Sequence, residues 1–158
     1  MEGIKKLNQV HKILDFHVTN NPDNVSVSVD SVSYTNSDIF SKVLSLVRLL
    51  KENKVTSGDR IAYLAKNSSE FIELMYASSI LGLVMVPINF RLAYEEVKFI
   101  IQDSGSKIII FGEEFKELVE KFNFDKTDLQ LSLGISELRK LLKRRSPVAF
   151  DVLSSTNK

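Results

Sequence analysis

Three apolar runs begin at Arg60, Leu83 and Lys107, so they recur at intervals of 23 and 24 residues. Each interval has room for one strand, one helix and two short connections. That is the βαβ pattern, which produces parallel strands joined by right-handed crossovers. The units share no side-chain signature beyond the apolar pattern, so the repeat does not describe a solenoid. Arg60 to Ala65 reads as the first strand. Leu83 to Ile88 and Lys107 to Phe111 are continuously apolar, which predicts strands covered on both faces. Between them, Asn67 with Glu70 three residues later predicts the start of a helix running to Ile80, closed by Gly82 in the left-handed conformation. A further helix is predicted from about Ala93 to Gln102, ending at Ser104-Gly105.

The flanking segments are simpler. Residues 1–22 read as an amphipathic helix with Ile4, Leu7, Val10, Ile13 and Leu14 on one face, stopped by Asn20-Asn21-Pro22-Asp23. Val25, Val27 and Val29 alternate with serines, Asp30-Ser31 breaks the run, and Val32-Ser33-Tyr34 follows, which predicts a β-hairpin with one apolar face. Thr35 is placed to cap a helix through Lys51, with Asp38 in its first turn and a buried stripe of Ile39, Val43, Leu46, Val47 and Leu50. After Gly112 the pattern predicts a helix over Glu113–Phe122, a strand over Leu129–Leu133 and a basic helix from Ser136 to Arg145. Ser146-Pro147 would stop that helix, and residues 146–158 read as a loose polar tail.

Bulk composition removes several chemistries. The chain has no cysteine, so thiolate nucleophiles, disulfides and Cys-ligated zinc are excluded. A net charge of +1, from 21 basic and 20 acidic residues, gives no reason to expect nucleic acid or an acidic surface as partner. The longest mainly apolar stretch, Leu74 to Ile88, contains Gly82 and Pro87 and is shorter than the roughly 20 residues a membrane-spanning helix requires. The first twenty residues mix Lys5, Lys6, His11, Lys12 and Asp15 among apolar positions, unlike a secretory signal. A cytoplasmic location without a membrane span is the expectation.

Several segments in order resemble one family. They are Val32-Ser33-Tyr34-Thr35, Gly58-Asp59-Arg60-Ile61-Ala62, Asn67-Ser68-Ser69-Glu70-Phe71, Leu81 to Leu92 with Pro87, Asn89 and Arg91, Glu95-Glu96-Val97, and Asp103-Ser104-Gly105-Ser106-Lys107. Together they are similar to the opening of adenylate-forming (AMP-binding) acyl-CoA synthetases, most strongly over residues 32–111. The resemblance implies an α/β fold: a mainly parallel sheet flanked by helices, preceded by a helix and a β-hairpin, the first subdomain of the adenylate-forming fold. It also implies an enzyme that forms an acyl-adenylate from a carboxylic acid and ATP, with pyrophosphate released, and then a thioester with coenzyme A. ATP, magnesium and coenzyme A are thus implied for the complete enzyme. In that family, catalysis uses a Gly- and Ser/Thr-rich phosphate loop, later acidic residues and a lysine in a separate C-terminal domain.

Those groups are not found in this sequence. Glycines fall at 3, 58, 82, 105, 112 and 134, no two closer than seven residues, whereas a phosphate-cradling loop needs several together. The tail Ser154-Ser155-Thr156-Asn157-Lys158 has hydroxyls and a lysine but no glycine. The expectation is therefore one N-terminal subdomain over residues 1–158, with no catalytic, cofactor-binding or metal-binding residues of its own. It would be inactive alone and paired with the remainder of a synthetase, or with itself, through an exposed sheet edge.

The remaining candidates have plain structural readings. His11 and His17 are six residues apart and point to different sides of a helix, so they cannot share a metal. Asp38, Asp59, Glu70, Glu73, Glu95 and Glu96 are explained by a cap, a turn or a solvated helix face, with Asp59 placed to pair with Arg60. Arg139, Lys140, Lys143, Arg144 and Arg145 read as a solvated cationic face near a helix end. Tyr63, Tyr76 and Tyr94 read as core or edge aromatics. Ala93 stands where the family usually has a capping Ser or Thr, a loss of about 1 kcal/mol. Two rivals share the strand period: a self-contained flavodoxin-like or response-regulator module, which needs a ligand loop or acidic cluster at the strand ends, and a non-catalytic remnant serving as a partner piece.

Overall fold

The computed structural model describes residues 9–122 and 127–143. Helix α1 (Val10–Asn20) leads into a hairpin of β1 (Val25–Val29) and β2 (Val32–Thr35), then α2 (Asn36–Glu52). The alternating part follows: β3 (Arg60–Leu64), α3 (Ser69–Leu81), β4 (Val84–Pro87), α4 (Tyr94–Ser104), β5 (Ile108–Phe111), a 3₁₀ turn at Glu113–Phe115, α5 (Lys116–Glu120), β6 (Leu131–Gly134) and α6 (Ile135–Lys143). The hairpin is antiparallel and forms its own two-stranded sheet. The other four strands form one parallel sheet in the order β4-β3-β5-β6.

This order follows from the apolar patterns. The chain leaves β3 for β4 on one side, then crosses back to β5 on the other, so crossovers of one hand must run over opposite faces of the sheet. The core divides accordingly. Ile61, Tyr63, Ile108 and Ile110 pack beneath α2, α3 and α6, while Ala62, Leu64, Ile109 and Phe111 pack against α4 and α5. The predicted stripe of α2 (Ile39, Val43, Leu46, Val47, Leu50) is buried throughout. Its start is a complete capping box: the Thr35 hydroxyl accepts the Asp38 N–H at 3.1 Å, and the Asp38 carboxylate accepts the Thr35 N–H at 2.9 Å. Those bonds hold the Asp38 carboxyl below the usual carboxylate range.

Gly58, Gly82 and Gly105 all have positive φ, at 88°, 68° and 60°. Each precedes a strand of the parallel sheet. At Gly82 the requirement is double, because a Cβ there would also meet the Ser57 hydroxyl oxygen at 2.5 Å.

Five expectations need correction. Leu83–Ile88 is not a strand covered on both faces: β4 is the edge of the sheet, and Val84 is 47% exposed. Asn67 does not cap α3. The cap position is Ser68, whose hydroxyl is instead 2.8 Å from the Tyr63 phenol. Asp59 pairs with Lys107 at 2.7 Å rather than with Arg60, and also accepts the Thr56 N–H. On α1, Leu14 is buried but Val10 and Ile13 are exposed, since the helix docks through Leu14, Val18 and a contact of His11 with Ser79; Ile4 and Leu7 lie outside the described residues. The helix after Gly112 is shorter than Glu113–Phe122, beginning as a 3₁₀ turn and ending at Glu120. The basic helix is described to Lys143. Arg144, Arg145 and the tail of residues 146–158 lie outside the described residues.

Candidate functional site

The buried chemistry of this molecule converges on α3. Its sequence, from Ser69 to Leu81, is apolar around most of its circumference, so no solvated face is available for Glu70 and Glu73. Both lie at helical spacing from Leu74 and Ala77, on the stripe that faces the core. Their side chains are 3% and 1% exposed. Reading them as solvated helix acids is therefore incorrect, and their position relative to Leu74 and Ala77 is the signal that reveals it.

A carboxylate buried to this degree requires a counter-charge. Two neighbouring helices supply one each. From α2, the Lys42 ammonium lies 3.1 Å from Glu73 Oε1 and 3.7 Å from the centre of the Tyr34 ring. From α6, Arg139 makes a fork, with Nε 2.6 Å from Glu70 Oε1 and Nη2 3.1 Å from Oε2. Arg139 is thus an ion-pair partner rather than a member of a freely solvated basic face. Lys140 and Lys143 of the same helix are exposed. Lys42 and Tyr34 are the functional residues that sequence reasoning missed, since nothing local links them to α3.

The two acids are driven apart electrostatically. Burial pushes the Glu70 carboxyl up, but hydrogen bonds from Arg139 and Ser68 outweigh it and leave Glu70 below its ordinary range. Burial also pushes Glu73 up, with Lys42 opposing and the Glu70 charge adding to the rise, and Glu73 stays above its ordinary range. Above this floor is an open groove of about 680 Å³ between the hairpin and the helices, walled by Val29, Val32 and Tyr34 on one side and Ser69, Arg139 and Leu142 on the other.

The carboxyl ends of the parallel strands are where open α/β sheets bind ligands. Here the position is occupied from within the chain. Glu113 Oε1 accepts the Ser136 N–H at 2.9 Å in the first turn of α6, which holds the Glu113 carboxyl below its ordinary range. Nearby, Lys66 and Glu114 are 3.8 Å apart. All three glycines with positive φ precede their strands and so lie at the amino ends of the sheet, away from this region. Among the described residues no cluster of three or more potential metal ligands occurs. His11 and His17 remain apart: His11 meets Ser79, and His17 packs edge-on against Phe16. Tyr63 and Tyr76 sit in or against the core, and the Tyr94 ring stacks on Phe122. Asp38 and Asp59 serve the cap and turn expected of them, and Glu95 and Glu96 are exposed.

The family model of the AMP-binding enzyme matches residues 14–156. The chain belongs to the AMP-binding enzyme family. It is 31% identical over 121 residues to the fatty acid–[acyl-carrier-protein] ligase ScoC of Streptomyces coeruleorubidus, covering 77% of this chain and 23% of that protein. Over 58 residues it is 55% identical to the long-chain-fatty-acid–CoA ligase FadD13 of Mycobacterium tuberculosis, covering 37% and 12%. The chain thus spans under a third of the length of these AMP-binding relatives. Among solved structures, the fatty acyl-CoA synthetase of Mycobacterium tuberculosis superposes with a TM-score of 0.81 at 29% identity, over 91% of this chain and 30% of that one. The N-terminal domain of FACL13 from the same organism gives 0.81 and 29%, over 89% and 37%. The α/β architecture is that of the N-terminal domain of acyl-CoA synthetases. No helix among the described residues is long and apolar enough to cross a membrane.

Proposed function

We propose that this chain is a scaffold subdomain of an ATP-dependent carboxylate–CoA ligase, whose complete enzyme converts an acid and ATP to an acyl-adenylate and then to an acyl-CoA. The observation that carries this reading is the likeness of its described fold to the N-terminal domain of FACL13 over 89% of the chain at 29% identity. The named relatives act on fatty acids, which supports an acyl substrate of that class. Coenzyme A is the acceptor in this reading because the solved relative at 91% coverage is an acyl-CoA synthetase. ATP, magnesium and coenzyme A belong to the complete enzyme. The residues described here supply the sheet on which the rest of the catalytic domain is built.

In the same reading the 158-residue chain does not catalyse adenylation. At the carboxyl ends of β5 and β6, Glu113 is bonded to the first turn of α6, and the three glycines with positive φ lie at the amino ends of the strands. Purified protein is expected to show no fatty-acid-dependent exchange of labelled pyrophosphate into ATP above a blank; exchange above the blank would overturn this reading. The unpaired edge at β4, with Val84 exposed, is the surface proposed to pair with the rest of a synthetase or with a second copy. Sedimentation velocity should show self-association that Val84→Lys reduces, and a monodisperse wild-type monomer would refute pairing with a second copy. The protein is proposed to work in the cytoplasm.

A further inference from the structure

The hairpin is secured at its base and overhangs at its tip. At the base, the backbone N–H groups of Asn36 and Ser37 donate to the carbonyls of Asn24 and Pro22 at 2.9 and 3.0 Å, and the Asn36 side-chain amide donates to the Asn21 carbonyl at 2.8 Å. Val27 and Tyr34 then pack against the core. Beyond them, Val29 and Val32 line the 680 Å³ groove, and Val32 is 52% exposed. The turn at the tip is exposed, with Asp30 at φ 54°. Next to this overhang, Lys42 joins the hairpin to the helices: its ammonium is shared between the Tyr34 ring and Glu73 Oε1.

We propose that the overhanging end of the β1–β2 hairpin is a hinged lid on the groove, and that the charge on Glu73, acting through Lys42, sets whether the lid is held or released. When Glu73 is ionised it fixes the Lys42 ammonium beneath the Tyr34 ring, where a partly desolvated cation–π contact is favourable. When Glu73 is neutral, the ammonium has lost its counter-charge. Since the Lys42 side chain is 32% exposed, water becomes its better partner. The cation then leaves the Tyr34 face, and the hairpin keeps only its base and the apolar contacts of Val27 and Tyr34.

The surroundings of Glu73 allow such a change. From α2 it faces Lys42, on its own helix Glu70, from α6 Arg139, and from β3 and β2 the phenols of Tyr63 and Tyr34; Asp30 and Lys143 stand at the groove rim. Arg139 is committed to Glu70 by its two-bond fork, so it does not replace Lys42 as partner. Burial moves the Glu73 carboxyl up from its ordinary range. The inference concerns the groove alone and is independent of the ligase reading.

Amide hydrogen exchange on the 158-residue protein, corrected for intrinsic rates, tests it. In Lys42→Met, amides of residues 26–34 should exchange at least tenfold faster than in the wild type, while those of β3 and β5 change less than twofold. Lys42→Arg should restore the slow rate. Tyr34→Leu removes the hairpin side of the contact without unpairing the buried acid, and should also free residues 26–34. Wild-type hairpin exchange should rise several-fold as pH falls through the Glu73 titration, whereas Glu73→Gln should exchange fast on both sides of it. The proposal fails if hairpin rates are unchanged in Lys42→Met and Tyr34→Leu. It also fails if hairpin and sheet accelerate together, or if the pH response survives in Glu73→Gln.

Discussion

The parallel sheet and the groove beneath the hairpin are adjacent and share α3, yet they are held together by different physics. The sheet is apolar: Ile61, Ile108, Ile109 and Ile110 are at most 2% exposed, and its corners turn on glycines. The groove floor is polar, with two carboxylates and two cations drawn from α2, α3 and α6. Apolar packing is non-directional and tolerates small shifts. A buried ion pair is conditional, because each partner is favourable only while the other stays charged and close. The sheet therefore supplies constant stability, and the groove supplies a state that charge can alter.

The largest effect that separates the two regions is expected at Arg139. In the fork with Glu70 the buried partner is the acid, at 3% exposure, while Arg139 is 54% exposed. Arg139→Met leaves an unpaired carboxylate inside the protein and should cost about 3 kcal/mol. Glu70→Gln leaves a half-exposed guanidinium that water can serve, and should cost only about 1 kcal/mol. Chemical denaturation of both variants at neutral pH measures the difference. Equal losses would mean that the fork behaves as a surface pair and that the contrast between groove and sheet is false.

A smaller effect should appear in the pH dependence of stability, and its sign distinguishes the two acids. Glu70 has a lowered folded value, so its contribution is present above the unfolded value of about 4.3 and is lost as pH falls through the folded one. Glu73 has a raised value, so its contribution is present below about 4.3 and is lost as pH rises through the folded one. His11 acts with the opposite sign to Glu73: burial lowers it from 6.5, so its contribution falls as pH drops through the folded value. Comparing wild type with Glu73→Gln cancels His11. Glu73→Gln should melt no lower than wild type at neutral pH, with the difference shrinking toward zero near pH 4.3. A clear drop in its melting temperature at neutral pH would show that the Lys42–Glu73 pair stabilises the fold outright.

The same contrast explains which parts were legible in the sequence. The strand period at Arg60, Leu83 and Lys107, the Thr35–Asp38 capping box and the Gly82 corner are local or periodic, and each was recoverable from neighbouring residues. The groove joins Tyr34, Lys42, Glu73, Glu70 and Arg139, whose pairings span 31 and 69 positions along the chain. Periodicity carries no information over such distances. What it did contain was the apolar circumference of α3, which leaves Glu70 and Glu73 without a solvated face. The edge position of β4 was hidden for a related reason: a continuous apolar run marks a strand as hydrophobic without stating which neighbours it has.

The smallest predicted effect tests whether the two regions are independent. α4 lies against the face of the sheet opposite the groove helices, and its cap is incomplete. The Ala93 N–H donates to Glu96 Oε2 at 2.8 Å, but the alanine methyl cannot accept the returning bond that Thr35 accepts in α2. The Ala93 backbone is already extended, at φ −74° and ψ 163°, so a serine fits without rearrangement. Ala93→Ser should add about 0.5–1 kcal/mol. Because α4 shares no polar partner with Arg139, the gain should be the same in the Arg139→Met background, within about 0.3 kcal/mol. A gain that vanishes in that background would mean that loosening the groove disorders the far face of the sheet as well, and that the two regions are coupled.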